Sequence, residues 1–433
     1  MKNVAPSINS TFRKIPLKTT RNHRPRVLIL GGGFAGITAM QNLKKSMGDK
    51  IDVVICDNRE TSLNKPRLPE VAMDGEPVKH VRFSLQAAAD ASGYTFLRAG
   101  IEKIEPKGRR VYLDNGKRLS YDYLLIAVGV NKNYAATPGF GEYGYSVCDD
   151  IHAPRLWERL QHFEGGPIVT GAVPYKAGTR IKAPKLMTPC EGPVGEIIFM
   201  LDYYLKNKGL RQKSPITVFT PADIFFEDVG ANVHKDAEAL LKQHDIRVVT
   251  NKTISCIKRD HVVFKDGSTM ESALTIIIPE YKAHSFIQNA GLGDDEGFIP
   301  TDKQMRHLDY PEIFAAGDAT ALSVPKLGHL AVMQAEIAAS MIAGELGGNV
   351  KIPEYKPAIL CIMNRGPLEA TMIYSTYLFG GKIDKTLDGP IPFLMKWSFD
   401  FYYNYTLGHM PPKMGEKLLE KHFETSKQVE DSI

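Results

Sequence analysis

Apolar and polar positions along this chain fall into short runs that alternate between two periods. Arg26–Leu30 (Arg-Val-Leu-Ile-Leu) is a continuous apolar run of strand length, followed at once by Gly31-Gly32-Gly33-Phe34-Ala35-Gly36. Residues 37–45 then carry helical spacing, and residues 51–56 form a second apolar run closed by Asp57. Such a strand–turn–helix–strand unit, with strands apolar on both faces, predicts the head of a parallel sheet. Residues 110–113 and 123–127 read as strands on either side of the turn Asp114-Asn115-Gly116. A second α/β block follows: a strand at 167–170, a helix at 196–207, a strand at 216–219, a helix at 232–244 and a strand at 247–249. After a hairpin near 262–267 and the apolar run Ile276-Ile277-Ile278, the chain is expected to return to the first block. It does so through Ile313-Phe314-Ala315-Ala316-Gly317-Asp318 and a helix over 330–346, which Gly347-Gly348 ends. From 351 onward the text changes, becoming rich in aromatics, Met, Pro and Lys.

Composition narrows the class. The 433 residues are 43% hydrophobic and 24% charged, which is ordinary for a globular chain able to bury a large core. A net charge of +5 with no basic, aromatic-interleaved helix gives no case for nucleic acid. Five cysteines at wide spacing, with no Cys-x-x-Cys pair, fit neither a secreted disulfide framework nor a zinc ribbon, and no metal site is expected. No apolar run reaches the roughly 18 residues of a membrane-spanning helix, and the N-terminus lacks the apolar core of a secretion signal. Residues 1–25 form a basic arm that reads either as a transit peptide or, more simply, as an arm near a membrane.

The chemistry is concentrated in glycines, acids and cysteines. Gly31, Gly33 and Gly36 have G-x-G-x-x-G spacing between a strand and a helix, and Asp57 follows at the end of the next strand. The glycines permit a tight turn, backbone approach to a pyrophosphate and close helix–strand packing, while the acid accepts ribose hydroxyls. The segments 121–129, ending at Gly129, and 313–318, ending at Gly317 and Asp318, resemble the later signatures of flavoproteins with two dinucleotide folds. That resemblance implies FAD, with Asp318 on the ribityl chain. The second block should present its own glycine turn to NAD(P)H after the strand at 167–170. It presents instead Gly171-Ala172-Val173-Pro174, a lysine-rich stretch, and Pro189-Cys190-Glu191-Gly192-Pro193. The next strand also ends without the acid that NADH needs, so nicotinamide binding is disfavoured.

With these residues in view, the chain resembles the sulfide:quinone oxidoreductases, relatives of type II NADH dehydrogenases and of flavocytochrome c sulfide dehydrogenase. The resemblance spans about 26–410 and is most specific at three cysteines. Cys148 lies in Tyr-Ser-Val-Cys, Cys190 precedes Gly-Pro-x-x-Glu, and Cys361 lies in Ile-Leu-Cys-Ile. It implies that Cys190 and Cys361 form a redox pair beside the flavin and that Cys148 is accessory. It also implies an acid, Glu196, suited to handling protons, and a cation, Lys326, near the flavin–quinone contact. Chemistry agrees: HS⁻ is a nucleophile, so its oxidation needs a sulfur electrophile such as a bridged cysteine pair. Cys56 and Cys256 read as small buried hydrophobes.

The expected fold class is α/β: two Rossmann-like dinucleotide-binding domains plus a C-terminal membrane-associated segment. The FAD-binding domain is placed at 26–137 and 280–350, the second Rossmann-like domain with a degenerate NAD site at 138–279, and the membrane and quinone segment at 351–433. There the aromatic stretch 392–403 with its lysine suits the headgroup layer of a bilayer without crossing it, or an aromatic helix closing the fold. The expected partners are sulfide and polysulfide, a membrane quinone and the bilayer surface, with a homo-oligomer left open; the expected location is peripheral to a membrane, on a face left undecided. The competing readings are a type II NADH:quinone dehydrogenase, the flavoprotein subunit of a sulfide–cytochrome c reductase, and a redox-sensing flavoprotein without catalysis.

Overall fold

A computed structural model of the chain describes residues 24–411; the basic arm up to residue 23 and the last residues of the C-terminal segment lie outside them. Apart from short hairpin strands, 3₁₀ turns and the helices Leu85–Ser92, Phe140–Tyr143, His152–Gln161 and Ser285–Asn289, β1 (Arg26–Leu30), α1 (Phe34–Met47), β2 (Asp52–Asp57), α2 (Leu68–Met73), β3 (Thr95–Arg98) and β4 (Tyr123–Ile126) come first. Then follow β5 (Gly144–Tyr145), β6 (Ile168–Ala172), α3 (Gly192–Asn207), β7 (Ile216–Phe219), α4 (Ala231–Gln243), β8 (Ile246–Val249) and β9 (Leu274–Ile278). The last are β10 (Ile313–Ala315), α5 (Gly328–Glu345), β11 (Ile359–Gly366), β12 (Glu369–Ser375), β13 (Asp384–Gly389) and α6 (Pro390–Tyr405).

Two parallel five-stranded sheets result, ordered β10-β4-β1-β2-β3 and β5-β9-β6-β7-β8. The expectation of a Rossmann-like α/β fold with parallel sheets is met. The continuous apolar runs explain it: β1, β4 and β9 are buried essentially throughout, as strands covered on both faces must be. In β1 the alternation of side chains sends Val27 and Ile29 into one core and Leu28 and Leu30 into another.

Two local expectations are corrected. The turn at 114–116 joins residues 110–113 to a short strand at Arg118–Ser120, while β4 lies in the central sheet between β1 and β10. A fully apolar strand buries more beside β1 than at a hairpin edge. The second-block helix begins at Gly192, so Cys190 stands just ahead of its first turn. Beyond α5 the chain builds an antiparallel sheet, β11-β12-β13, that the sequence pattern left unassigned. Its strand β11 packs on α3, and α6 closes over β12. No helix among the described residues is long and apolar enough to cross a membrane.

Candidate active site

The first sheet ends in a dinucleotide cradle. Gly31 has φ +102°, and a Cβ there would lie 2.3 Å from the Ala127 carbonyl oxygen. A Cβ on Gly36 would lie 1.8 Å from the Gly31 oxygen, whereas one on Gly33 meets nothing within 4 Å. So Gly31 and Gly36 are required by packing, and Gly33 leaves open space at the start of α1. Gly33 caps α1 without a side-chain hydrogen bond, which leaves first-turn N–H groups available to an anion. Asp57, at the end of β2, accepts hydrogen bonds from Gly32 N at 2.7 Å and Arg59 N at 2.8 Å. Gly129 and Gly317 have φ of +68° and +77°, in the left-handed region that favours glycine. Asp318 follows in a short helical turn, and Gln334 on α5 fixes that turn by accepting from Gly317 N at 2.8 Å.

The structure brings Cys190 and Cys361 together. A Cβ added at Gly192 would stand 3.4 Å from Cys361 Sγ and 3.7 Å from Cys190 Sγ, so the two sulfurs flank the first residue of α3. Strand geometry places Cys361 there. On β11, Ile359, Cys361 and Met363 share the face that packs with Cys190, Val194 and Ile197, while Leu360 and Ile362 turn to the opposite cluster with Met395. Burial pushes the Cys361 thiol up to about 12, with Asp228 and Glu196 adding to it. Burial, Cys361 and Asp228 push Cys190 up as well, and the Gly192 N–H works in the other direction. Cys148 lies in the same buried cluster, and Tyr281 Oη donates to its sulfur at 3.8 Å. Cys56 is fully buried in β2, and Cys256 is half-buried in a hairpin strand away from this cluster.

Glu196 sits one turn into α3 and is buried. It accepts from Asn364 N on β11 at 3.2 Å and pairs with Lys396 of α6. Lys396 also meets Glu70 of α2 at 3.2 Å, and Asn364 Nδ2 donates to Glu70 at 2.7 Å. Burial lifts the Glu196 carboxyl to about 7, with Lys396 drawing it back down. Burial pulls the Lys396 ammonium down, but Glu196, Glu70 and Asp400 more than reverse this. Lys326 is buried on another side. Its ammonium donates to the Thr320 carbonyl at 2.8 Å and sits 4.2 Å over the Phe298 ring. Burial lowers it to about 8 against the pull of Asp318 and Asp294. Its backbone N–H donates to the Pro189 carbonyl at 2.9 Å, which ties this loop to the segment carrying Cys190.

Lys396, Glu70, Asp400, Asn64 and Asn364 were absent from the sequence-derived site. One signal pointed to two of them. Lys396 and Asp400 are the only residues of α6 with charged side-chain types, four residues apart on one face. Both are 5% exposed, whereas Trp397, Phe401 and Tyr405 are 60%, 62% and 79% exposed. The helix is inverted relative to an ordinary amphipathic one. Lys396 therefore points inward to carboxylates, away from the headgroup-facing edge expected of it.

Residues 25–172 and 205–335 match the pyridine nucleotide-disulphide oxidoreductase family. The sulfide-quinone reductase of Aquifex aeolicus is 26% identical over 429 residues, covering 91% of this chain and 94% of that protein. The mitochondrial sulfide:quinone oxidoreductase of Mus musculus is 25% identical, covering 74% of this chain and 70% of its own. The X-ray structure of the Aquifex aeolicus sulfide:quinone oxidoreductase superposes with a TM-score of 0.81 at 24% identity, over 92% of this chain and 95% of that one, which is a likeness of fold. By the residues matched, the chain belongs to the pyridine nucleotide-disulphide oxidoreductase family, and within it is sulfide:quinone oxidoreductase-like.

Proposed function

We propose that this protein oxidises sulfide through the Cys190–Cys361 pair and passes two electrons through FAD to a membrane quinone. The observation that carries the reading is that these two sulfurs, both free thiols in the structure, flank Gly192 at the start of α3. In a nucleotide-binding fold the N-terminus of that helix receives a pyrophosphate. Here sulfur and β11 crowd it, and Pro193 stands in its first turn.

The cradle fits FAD. Gly31, Gly33 and the α1 N-terminus would hold the pyrophosphate, with Asp57 near the ribose, Gly129 and Gly317 at close backbone approaches, and Asp318 on the ribityl chain. When bound, FAD supplies two-electron acceptance and release. The protein's own groups supply the sulfur chemistry. HS⁻ attacks one sulfur of the bridged pair, the S–S bond breaks, and one persulfide and one thiolate result. Closure of the pair around the added sulfur releases two electrons and one proton. The bridged pair carries no charge, which suits a pocket whose burial disfavours both thiolates. Cys148, buried in the same domain core, would be the accessory cysteine that passes sulfur onward.

Glu196 pairs with Lys396 of α6 and accepts from Asn364 N, three residues beyond Cys361 on β11, and there a quinone would receive electrons and protons. Lys326 would stabilise negative charge on the reduced cofactor. The exposed row Leu394, Trp397, Phe401 and Tyr405 suits insertion into the interfacial layer of a bilayer, with the buried charges of α6 turned toward the site. An anaerobic titration tests the function. Sulfide bleaches the oxidised flavin absorbance, NADH does not, and Cys190→Ser or Cys361→Ser abolishes the sulfide response while FAD stays bound. Bleaching by NADH alone would replace this reading with that of an NADH:quinone dehydrogenase.

A further inference from the structure

Quinone reduction consumes two electrons and two protons, whereas sulfide oxidation releases its single proton on the cysteine side. Protons must therefore reach the quinone side from solvent. Glu196 is 7% exposed and Lys396 5%, so neither collects them directly. Lys396 bridges Glu196 to Glu70, which connects the interior of α3 to α2. Asp74 stands one turn beyond Glu70 at the end of α2, its N–H donating to the Glu70 carbonyl at 2.9 Å, and it is exposed. Spacing of four residues puts both carboxyls on one helix face. Around them, Glu70 Oε2, Asn64 Oδ1 and Asn364 Oδ1 are buried polar atoms with no protein hydrogen-bond partner among the described residues. Buried polar atoms of this kind are ordinarily satisfied by water, so these three acceptors offer partners to a hydrogen-bonded thread beside Lys396.

We propose that Glu70 and Asp74 form the proton inlet of the site, running from solvent at the end of α2 through Glu70 and Lys396 to Glu196. The proposal rests on the quinone reading above and adds two residues that reading does not contain. The charged groups that face the route are Arg67 and Glu76 from the α2 region, Glu196 from α3, and Lys396 and Asp400 from α6. Each step moves a proton between neighbours and none is consumed within the route. Desolvation and the neighbouring Glu70 raise the Asp74 carboxyl to about 6, and burial raises Glu196 to about 7, so the two ends of the path exchange protons close to neutrality.

The test isolates the oxidative half-reaction. Holoprotein reduced anaerobically with dithionite is mixed with a short-chain quinone, and flavin reoxidation is followed from pH 5.5 to 8.5 in H₂O and D₂O. Glu70→Gln is expected to slow reoxidation on the order of 100-fold, the usual worth of a positioned proton donor. Asp74→Asn, an exposed change that leaves packing alone, is expected to slow it roughly tenfold, with the deficit growing as pH rises and a larger solvent isotope effect. Glu70→Asp restores part of the rate. Asp74→Asn reduces with sulfide at the wild-type rate. If the wild type reoxidises and both variants match it at every pH, the inlet is overturned alone. If quinone does not reoxidise the wild-type flavin, the quinone reading falls and the inlet with it.

Discussion

Replacing Lys396 by Met keeps the shape of the long side chain and removes only the buried charge. In the native protein that ammonium lies between Glu196 and Glu70, with Asp400 one turn away. Its loss leaves buried carboxylates facing one another without a cation. Breaking a buried pair in this way costs about 3–5 kcal/mol. The sign of the pH dependence follows from Glu196, whose carboxyl is already raised from its ordinary 4.5 to about 7 by burial, against the lowering effect of Lys396. A carboxyl raised in the folded state leaves stability intact below its unfolded value and erodes it as pH climbs through the folded one. Without Lys396 the folded value moves higher still, so the window widens upward. Each further unit of pH inside it costs about 1.4 kcal/mol. Urea unfolding followed by far-UV circular dichroism should thus show a deficit larger at pH 8 than at pH 5 by about 1.4 kcal/mol, the cost of the one unit of pH between about 7 and about 8. Equal deficits at both pH values would refute the electrostatic account and reduce Lys396 to a packing residue.

Glu191, 3% exposed and lifted to about 8 by burial against a hydrogen bond from Thr220, costs stability as pH rises from about 4.5 to about 8. Glu191→Gln should therefore stabilise the protein by on the order of 3 kcal/mol at pH 7 and by little at pH 4.5, read as a shift in thermal midpoint. Trp397→Ser with Phe401→Ser should weaken co-sedimentation with liposomes by roughly tenfold or more per residue, from lost apolar burial, and leave the folded spectrum unchanged; undiminished binding would remove α6 from the membrane surface. Gly36→Ala should abolish flavin retention, because its Cβ would sit 1.8 Å from the Gly31 oxygen, whereas Gly33→Ala should fold and show only weakened cofactor affinity in an equilibrium titration.

Local pattern along the chain was enough to specify the two parallel sheets and the cradle at the end of the first. Strand length, continuous apolarity and the spacing of Gly31, Gly33 and Gly36 are local properties, and each forces its backbone geometry with little help from the rest of the chain. The displaced glycine turn at Cys190 was legible for the same reason. Its meeting with Cys361 came only as an implication of family likeness, because the contact depends on β11 lying against α3, a packing of elements far apart in the chain. Tertiary structure alone decided that Lys396 and Asp400 face inward. An aromatic helix with two charges can turn either face to the core, and the buried Glu196 with the half-buried Glu70 opposite makes the charged face the favourable one. It likewise decided the route from Asp74 to Glu196, whose residues come from three helices and acquire a common chemistry only where those helices converge.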